Sequence, residues 1–268
     1  MIRTLHLEFL KLKHYKPFWI IIGLFTVFYF ALGIFTKRFI DFFLEENLNQ
    51  LGQFENVGIP IFDFVDIWQN LAYLTFLFKW ILAFVVIISI CLEFSNKTIR
   101  QNIIDGLSRR EFLMSKLLMI VLLSIFAGVL LFLLGLFLGL IYSQVKSPEF
   151  ILMNIEFVPA YTLEVFSFLC LAMLCAFLIQ RTGFAIIIFI FYTALFEPIS
   201  AAIMQYEYEI ANWYLPMRAI NNLVHVPFLK YAFREVQDYV AFTDVIVVSG
   251  WTAIFIFLSY RVLKAKNL

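Results

Sequence analysis

The sequence predicts an all-α membrane protein with six transmembrane helices. Of its 268 residues, 63% are hydrophobic, whereas soluble domains are about half apolar, so this surplus requires lipid as its solvent. The apolar residues are gathered into six runs of about 17 to 26 residues, the length that an α-helix needs to cross a bilayer. Basic residues are concentrated at the termini and in every second connection, which is typical of a polytopic membrane protein.

The predicted spans begin and end with these apolar runs. They cover residues 17–36, 70–92, 117–142, 158–179, 184–204 and 244–260. Pro17 can occupy the first position of a helix, because the N–H that it lacks would have no partner there. Gly135 and Gly139 lie about one turn apart in the third span, a pattern that lets another helix approach closely. Neither a repeat nor a linker divides the sequence, so residues 1–268 are predicted to form a single transmembrane domain.

Three segments outside the spans carry structural signals of their own. Residues 1–16 place apolar and polar side chains on different sides at helical spacing, which predicts an amphipathic helix in the membrane interface or a cytoplasmic helical extension. The connection 37–69 contains both acidic and aromatic residues, and we expect it to be partly helical and packed on the membrane. Residues 205–243 form a second long connection before the last span.

The distribution of charge predicts the orientation of the chain. Thirteen of the 20 Lys and Arg residues lie in the N-terminal segment, the connection 93–116, the turn at Arg181 and the C-terminus, whereas six lie in the opposite connections. Because Lys and Arg favour the cytoplasmic side, both termini and the connection 93–116 are predicted to be cytoplasmic, in a plasma or inner membrane. The formal net charge of +1 argues against nucleic acid as a partner.

Several kinds of site have no motif in this sequence. There is no Gly-x-x-x-x-Gly-Lys, so ATP is not expected to bind this chain through a P-loop. The three histidines are isolated from one another, and the three cysteines lie in apolar runs without a Cys-x-x-Cys. We therefore expect no metal site and no disulfide framework.

The connection 93–116 is polar and contains residues typical of the beginnings and ends of two helices. Ser95 or Asn96 can cap a first helix at Lys97–Asp105. Gly106 suits the left-handed position that ends a helix, because it has no Cβ to clash there. An ordinary polar loop is the alternative interpretation.

A second helix is predicted directly after this glycine. Ser108 and Glu111 have the Ser-x-x-Glu spacing of a capping box, in which each side chain accepts the free backbone N–H of the other residue. The second helix is expected to continue into the third span. Ile99, Ile103 and Ile104 make the first helix apolar enough to dock into a groove of a partner protein.

This connection resembles the intracellular coupling loop of ABC-2-type transporter permeases. In many members a Glu ends the second span and is followed by a Thr-containing turn, a Gly, a Ser-Arg pair, an aromatic residue and a Lys. The matching residues are Glu93, Thr98, Gly106, Ser108, Arg109, Phe112 and Lys116. Lys97 stands where the family usually has a Gly, which indicates a different local turn. The remaining residues predicted to serve coupling to an ATPase are Arg100, Ile103, Arg110 and Glu111.

The resemblance implies that the chain is the permease of an ATP-driven transporter, in most members an exporter, and has no catalytic site itself. Two permease chains, identical or homologous, would pair through spans one and five over two separate ATPase subunits, which bind ATP and Mg. Closure of the ATPases would push the coupling helix and open a path between the permeases. Residues 1–16 would be the family's elbow helix, and the segment 197–240 its extracellular re-entrant helices.

Three ionisable residues, Lys79, Glu164 and Glu197, lie within predicted spans. Counting from the span ends places all three about 20 Å from the cytoplasmic surface. A lone charge in hydrocarbon costs about 2.5–3.5 kcal/mol or more, so we expect Lys79 to pair with one of the two carboxylates. Pro198 should bend the fifth span and free carbonyl groups there, which favours Glu197 as the partner.

Two alternatives accompany this hypothesis. The charged side chains could instead snorkel to the membrane interface, which needs no pairing. A secondary transporter or channel that uses Lys79, Glu164 and Glu197 for ion coupling is the alternative function.

Overall fold

The computed structural model describes residues 16–51, 61–104, 106–143, 147–208, 214–227 and 237–266. These residues are mostly helical and contain no β-strand, and six helical segments are long and apolar enough to cross a bilayer. The prediction of an all-α protein with six spans is therefore confirmed. The amphipathic helix predicted for residues 1–16 lies outside the described residues, except for Lys16.

The described part of the chain contains eleven α-helices. They are α1 (Lys16–Leu51), α2 (Ile67–Leu74), α3 (Lys79–Ser95), α4 (Thr98–Ile104), α5 (Arg109–Tyr142), α6 (Pro148–Ile151), α7 (Phe157–Ile179), α8 (Thr182–Ile190), α9 (Glu197–Tyr208), α10 (Pro216–Asn222) and α11 (Phe242–Ala265). A 3-10 turn at Phe76–Phe78 joins α2 to α3, and a π-helical segment at Phe191–Phe196 joins α8 to α9. The six spans are thus α1, α2 with α3, α5, α7, α8 with α9, and α11.

The first helix extends beyond the first span. α1 continues to Leu51, although its apolar segment ends at Thr36. Residues 37–51 contain neither Pro nor Gly, and Gly52 follows directly. Because nothing in this segment breaks a helix, the backbone hydrogen bonds continue after the hydrophobicity has ended. The partly helical segment expected after the first span is therefore an extension of the same helix.

The second span is interrupted, whereas the sequence predicted one continuous helix. The Thr75 hydroxyl donates a hydrogen bond of 2.7 Å to the carbonyl of Leu71 and accepts one of 3.1 Å from the Tyr29 hydroxyl. A Thr side chain that bonds to the carbonyl one turn earlier often bends a helix. α2 ends there, and after the 3-10 turn Lys79 becomes the first residue of α3.

The fourth span, α7, is the centre of the bundle. It packs against α3, α5 and α11. Of its most apolar 18-residue stretch, 72% is buried inside the protein, whereas 22% of the corresponding stretch is buried in each of spans one, five and six. Two buried hydroxyls, Ser167 of α7 and Thr252 of α11, are hydrogen-bonded to each other across one of these contacts. The exposed apolar surface of the three outer spans is therefore available to lipid or to another chain.

Gly135 of the third span admits an aromatic side chain from the second. A Cβ on Gly135 would lie 2.6 Å from the ring of Trp68, closer than real Cβ contacts come. Trp68 stacks on Phe132, with ring centroids 5.5 Å apart. α2 consequently packs closely on α5, as the small-residue pattern predicted.

The connections between the spans gather at two opposite ends of the bundle. At one end, called the α4 end, Arg110 of α5 donates a hydrogen bond of 3.1 Å to the Tyr260 hydroxyl of α11. At the other, called the α10 end, the backbone N–H of Val240 donates a bond of 2.9 Å to the Glu156 carboxylate. Six successive spans require that the connections alternate between these two ends.

Candidate functional site

The short helix predicted after the second span is present as α4, at Thr98–Ile104. Asn96 ends α3, so the expectation that Ser95 or Asn96 caps the next helix is wrong. Lys97 instead lies between the helices with a φ of 56°, and its carbonyl accepts the first bond of α4, from the N–H of Gln101 at 3.2 Å. Lys97 is thus left-handed at the position where the resemblance implies a Gly.

Gly106 ends α4 in the way that the sequence predicted. Its φ is +94°, in the left-handed region that favours glycine. The N–H of Leu107 donates to the carbonyl of Asn102 at 2.9 Å, and the N–H of Gly106 donates to that of Ile103 at 3.1 Å. These two bonds form a Schellman motif, which satisfies the last carbonyls of α4.

The predicted capping box begins α5. The backbone N–H of Ser108 donates to the Glu111 carboxylate at 2.8 Å, and the N–H of Glu111 donates to the Ser108 hydroxyl at 3.2 Å. The helix then runs without a break to Tyr142. α4 is therefore held between two defined helix ends, with a single glycine turn on its α5 side.

Glu93, Phe112 and Lys116 lie inside the protein at the α4 end. The Lys116 ammonium is fully buried and lies 2.6 Å from the Glu93 carboxylate, which joins the end of α3 to the start of α5. The same ammonium lies 5.4 Å from the centroid of the Phe112 ring, and Phe112 is 1% exposed. Phe112 and Lys116 are buried and Glu93 is 13% exposed, so these residues position α4 and offer little surface to a partner protein.

The exposed face of α4 differs from the one that the sequence suggested. Ile99 is 1% exposed, and Ile103 is partly buried against the same core, so neither presents a free side chain to a partner. Ile104 is 77% exposed, and Arg100 and Gln101 are exposed beside it. The helical period explains the division, because positions 99 and 103 share one face while 100 and 104 share the next.

Arg109 and Arg110 bind the end of the last span, a contact that sequence reasoning missed. Arg109 donates to the carbonyl of Lys264 in the last turn of α11. Besides its hydrogen bond, the Arg110 guanidinium lies 5.7 Å from the centroid of the Tyr260 ring. Cations at a helix C-terminus are favourable because the free carbonyls carry partial negative charge. No local pattern in the sequence signals this pairing.

Within the membrane-spanning region, Lys79 is paired with Glu164. The ammonium donates to the Glu164 carboxylate and, at 2.9 Å, to the side-chain oxygen of Asn221. Lys79 is 1% exposed and Glu164 is 3% exposed, so the pair is buried inside the protein and does not snorkel. The preference for Glu197 as the partner is wrong. Asn221 lies in the long connection 205–243 and gave no signal of its role.

Glu197 has a different function in the fold. One of its carboxylate oxygens accepts the backbone N–H of Arg218 at 3.0 Å and also that of Met217. Since Pro216 has no N–H, these are the first free donors of α10. The π-helical segment Phe191–Phe196 lies directly before Glu197, so span five is irregular where the sequence predicted a proline bend.

The two buried carboxylates border a common cavity of about 320 Å³ between α2, α9 and α10. Glu164 and Glu197 lie on its wall, together with Asn221 of α10 and Tyr73 of α2. Within the described ranges, no three His, Cys, Asp or Glu side chains are grouped so that they could hold a metal ion. The chain thus has two candidate sites, a docking helix at one end and a polar cavity near the other.

One comparison with known proteins identifies the family. The family model described as "ABC-2 family transporter protein" matches residues 4–196, which is more than half of the chain. The match contains the whole connection 93–116 and also Lys79 and Glu164, and it ends one residue before Glu197. No curated protein matches the sequence. The chain therefore belongs to the ABC-2 family and is a membrane-spanning component of a transporter.

Proposed function

We propose that the chain is the permease subunit of an ATP-driven exporter and pairs with a second permease over two ATPase subunits. The observation that carries this proposal is α4, which presents Arg100, Gln101 and Ile104 outward at the end of two long spans. Ile104 is 77% exposed beside Arg100 and Gln101, and burial of its apolar side chain against a partner would be favourable. ATP and Mg²⁺ would be held by the ATPases.

The way in which α4 is anchored supports a role in transmitting movement. α4 is fixed to α5 through the Schellman motif and the capping box, and the Thr98 hydroxyl donates a bond of 3.2 Å to the carbonyl of Glu93 at the end of α3. The buried Lys116–Glu93 pair joins α3 and α5 beneath it. A force applied to α4 would consequently reach both spans.

The outer spans support pairing with a second permease. Leu24 and Phe28 of α1 are 50% and 55% exposed, and the segment Phe191–Phe196 of span five also has an exposed apolar face. α7 fills the centre of one bundle, so a path for substrate is expected between two chains. We propose that spans one and five form this contact, with lipid as the other possible neighbour.

The orientation is tested by labelling with an impermeant maleimide. With Arg100 and Arg109 on it, the α4 end should be cytoplasmic. A cysteine at exposed Tyr239, at the α10 end, should react in intact cells, and one at exposed Gln101 should react only after permeabilisation. The native cysteines are buried and should give little background. Reaction of Gln101→Cys in intact cells would show that the α4 end faces outward, opposite to the proposed orientation.

The complex is tested by native mass spectrometry of the chain together with any ATPase subunits that co-purify with it. The expected mass corresponds to two permeases and two ATPases, and reconstituted transport should require ATP. A monomeric permease that transports with its ATPases bound would refute the pairing. Transport by the chain alone, driven by an ion gradient, would support a secondary transporter instead.

A further inference from the structure

Glu197 is a buried carboxylate without a counter-ion in the described part of the chain. Its side chain is 2% exposed, and the described residues place no basic nitrogen within 4.0 Å of its carboxylate. The two backbone N–H groups of α10 satisfy hydrogen bonds at one oxygen, but a helix start supplies only about half a positive charge. The charged form of Glu197 is favourable at this depth only if a further group compensates it.

The cavity beside Glu197 provides space for a compensating group. Its volume of about 320 Å³ suits a small organic group rather than a whole large molecule. Tyr73 and Phe76 stack on each other with ring centroids 5.6 Å apart, and both border the cavity. Asn222 adds an amide to the wall. Arg218 also borders the cavity, but its side chain is exposed to solvent, which screens its charge.

Two irregular helical segments lie next to this cavity. The 3-10 turn at Phe76–Phe78 interrupts span two, and the π-helical segment Phe191–Phe196 interrupts span five directly before Glu197. π-helical turns are frequent at functional sites, and interrupted spans form the binding sites of many transporters. Both irregularities therefore support a binding role for the cavity.

The chain itself shows which chemistry is favourable beside the cavity. The Lys79 ammonium is held by the Glu164 carboxylate, by the Asn221 amide oxygen and by the Phe168 ring, whose centroid is 5.1 Å away. A carboxylate, an amide oxygen and an aromatic face are all favourable partners of an ammonium group. The cavity wall repeats this set with Glu197, Asn222 and Tyr73.

We propose that the cavity binds the ammonium group of a ligand, with Glu197 as its counter-ion. The ammonium could belong to an ethanolamine headgroup of a lipid or to a soluble amine, such as the amino group of a peptide. The use of this site in transport rests on the permease function proposed above, whereas the binding itself does not. The test is therefore made on the full chain without ATPases, so that failure of binding and failure of the permease function are separate results.

The first arm measures thermal unfolding of the full chain in nanodiscs of phosphatidylglycerol, with ethylammonium chloride titrated against NaCl at equal ionic strength. Ethylammonium should raise the Tm of the wild type, and Glu197→Gln should increase the apparent Kd at least tenfold. Glu197→Asp keeps the charge and should retain part of the shift, which guards against a folding defect in the glutamine variant. Glu149→Gln, at an exposed acidic residue of α6, is the matched control and should behave like the wild type.

The second arm compares lipid retention in native mass spectra of protein from mixed phosphatidylethanolamine and phosphatidylglycerol nanodiscs. Preferential retention of phosphatidylethanolamine that Glu197→Gln abolishes would identify a lipid headgroup as the source of the ammonium. A Tm shift without preferential retention would identify a soluble amine. Absence of both a Tm shift and preferential retention in the wild type, or an equal shift in Glu197→Gln, would overturn the proposal.

Discussion

Replacing Glu164 by Ala should destabilise the folded chain by about 3–5 kcal/mol, because it leaves the Lys79 ammonium buried without its counter-ion. The two side chains are only 1% and 3% exposed, so the stranded charge would be poorly solvated. Asn221 would remain as a neutral partner but cannot compensate a full charge. The measurement is the free energy of unfolding in mixed micelles, followed through tryptophan fluorescence.

Two further variants separate loss of the pair from loss of volume. Lys79→Met with Glu164→Met removes both charges and keeps apolar bulk, so the double variant should be more stable than either single variant. Glu149→Ala, at an exposed carboxylate, should change the unfolding free energy by less than about 0.5 kcal/mol. A Glu164→Ala variant as stable as Glu149→Ala would contradict the account of the buried pair.

Replacing Ile104 by Asp should separate the permease from its ATPase while leaving the permease folded. Ile104 is the exposed apolar side chain of α4, at 77%, so an aspartate there has no core contact to disturb. Within the proposed interface the same aspartate would bury a charge in an apolar pocket, which we expect to weaken ATPase binding at least tenfold, or about 1.4 kcal/mol. ATPase retention on the immobilised permease measures the effect, and thermal unfolding of the permease alone monitors its fold.

Neighbouring residues provide the comparison for this variant. Ser95→Asp places the same charge at an exposed position just before α4 and should leave ATPase binding within about twofold of the wild type. Ile99→Asp should instead unfold the permease, because Ile99 is 1% exposed. Normal ATPase retention by Ile104→Asp would show that α4 does not bind the ATPase through this face.

The sequence determined the features of this protein that depend on neighbouring residues. Hydrophobic runs located the six spans, since the thickness of a bilayer sets the length of any helix that crosses it. The positive φ of Gly106 and the capping box of Ser108 with Glu111 follow from local backbone chemistry, and both are present in the structure. The end of α1 at Leu51 was missed because hydropathy indicates where lipid ends and not where a helix ends.

The tertiary structure alone decided which side chains meet. Counting residues gives the depth of Lys79, Glu164 and Glu197, because each residue advances a helix by about 1.5 Å. Depth does not give the direction in which a side chain points, and three groups at similar depth can pair in more than one way. The packing of α3 and α10 around α7 brought Lys79 into contact with Glu164 and Asn221. Glu197 instead accepts hydrogen bonds from the first N–H groups of α10. In the same way, the packing of α4 against α3 turned Ile99 inward and left Ile104 exposed, since the angle at which two consecutive helices pack decides which face of the short one is buried.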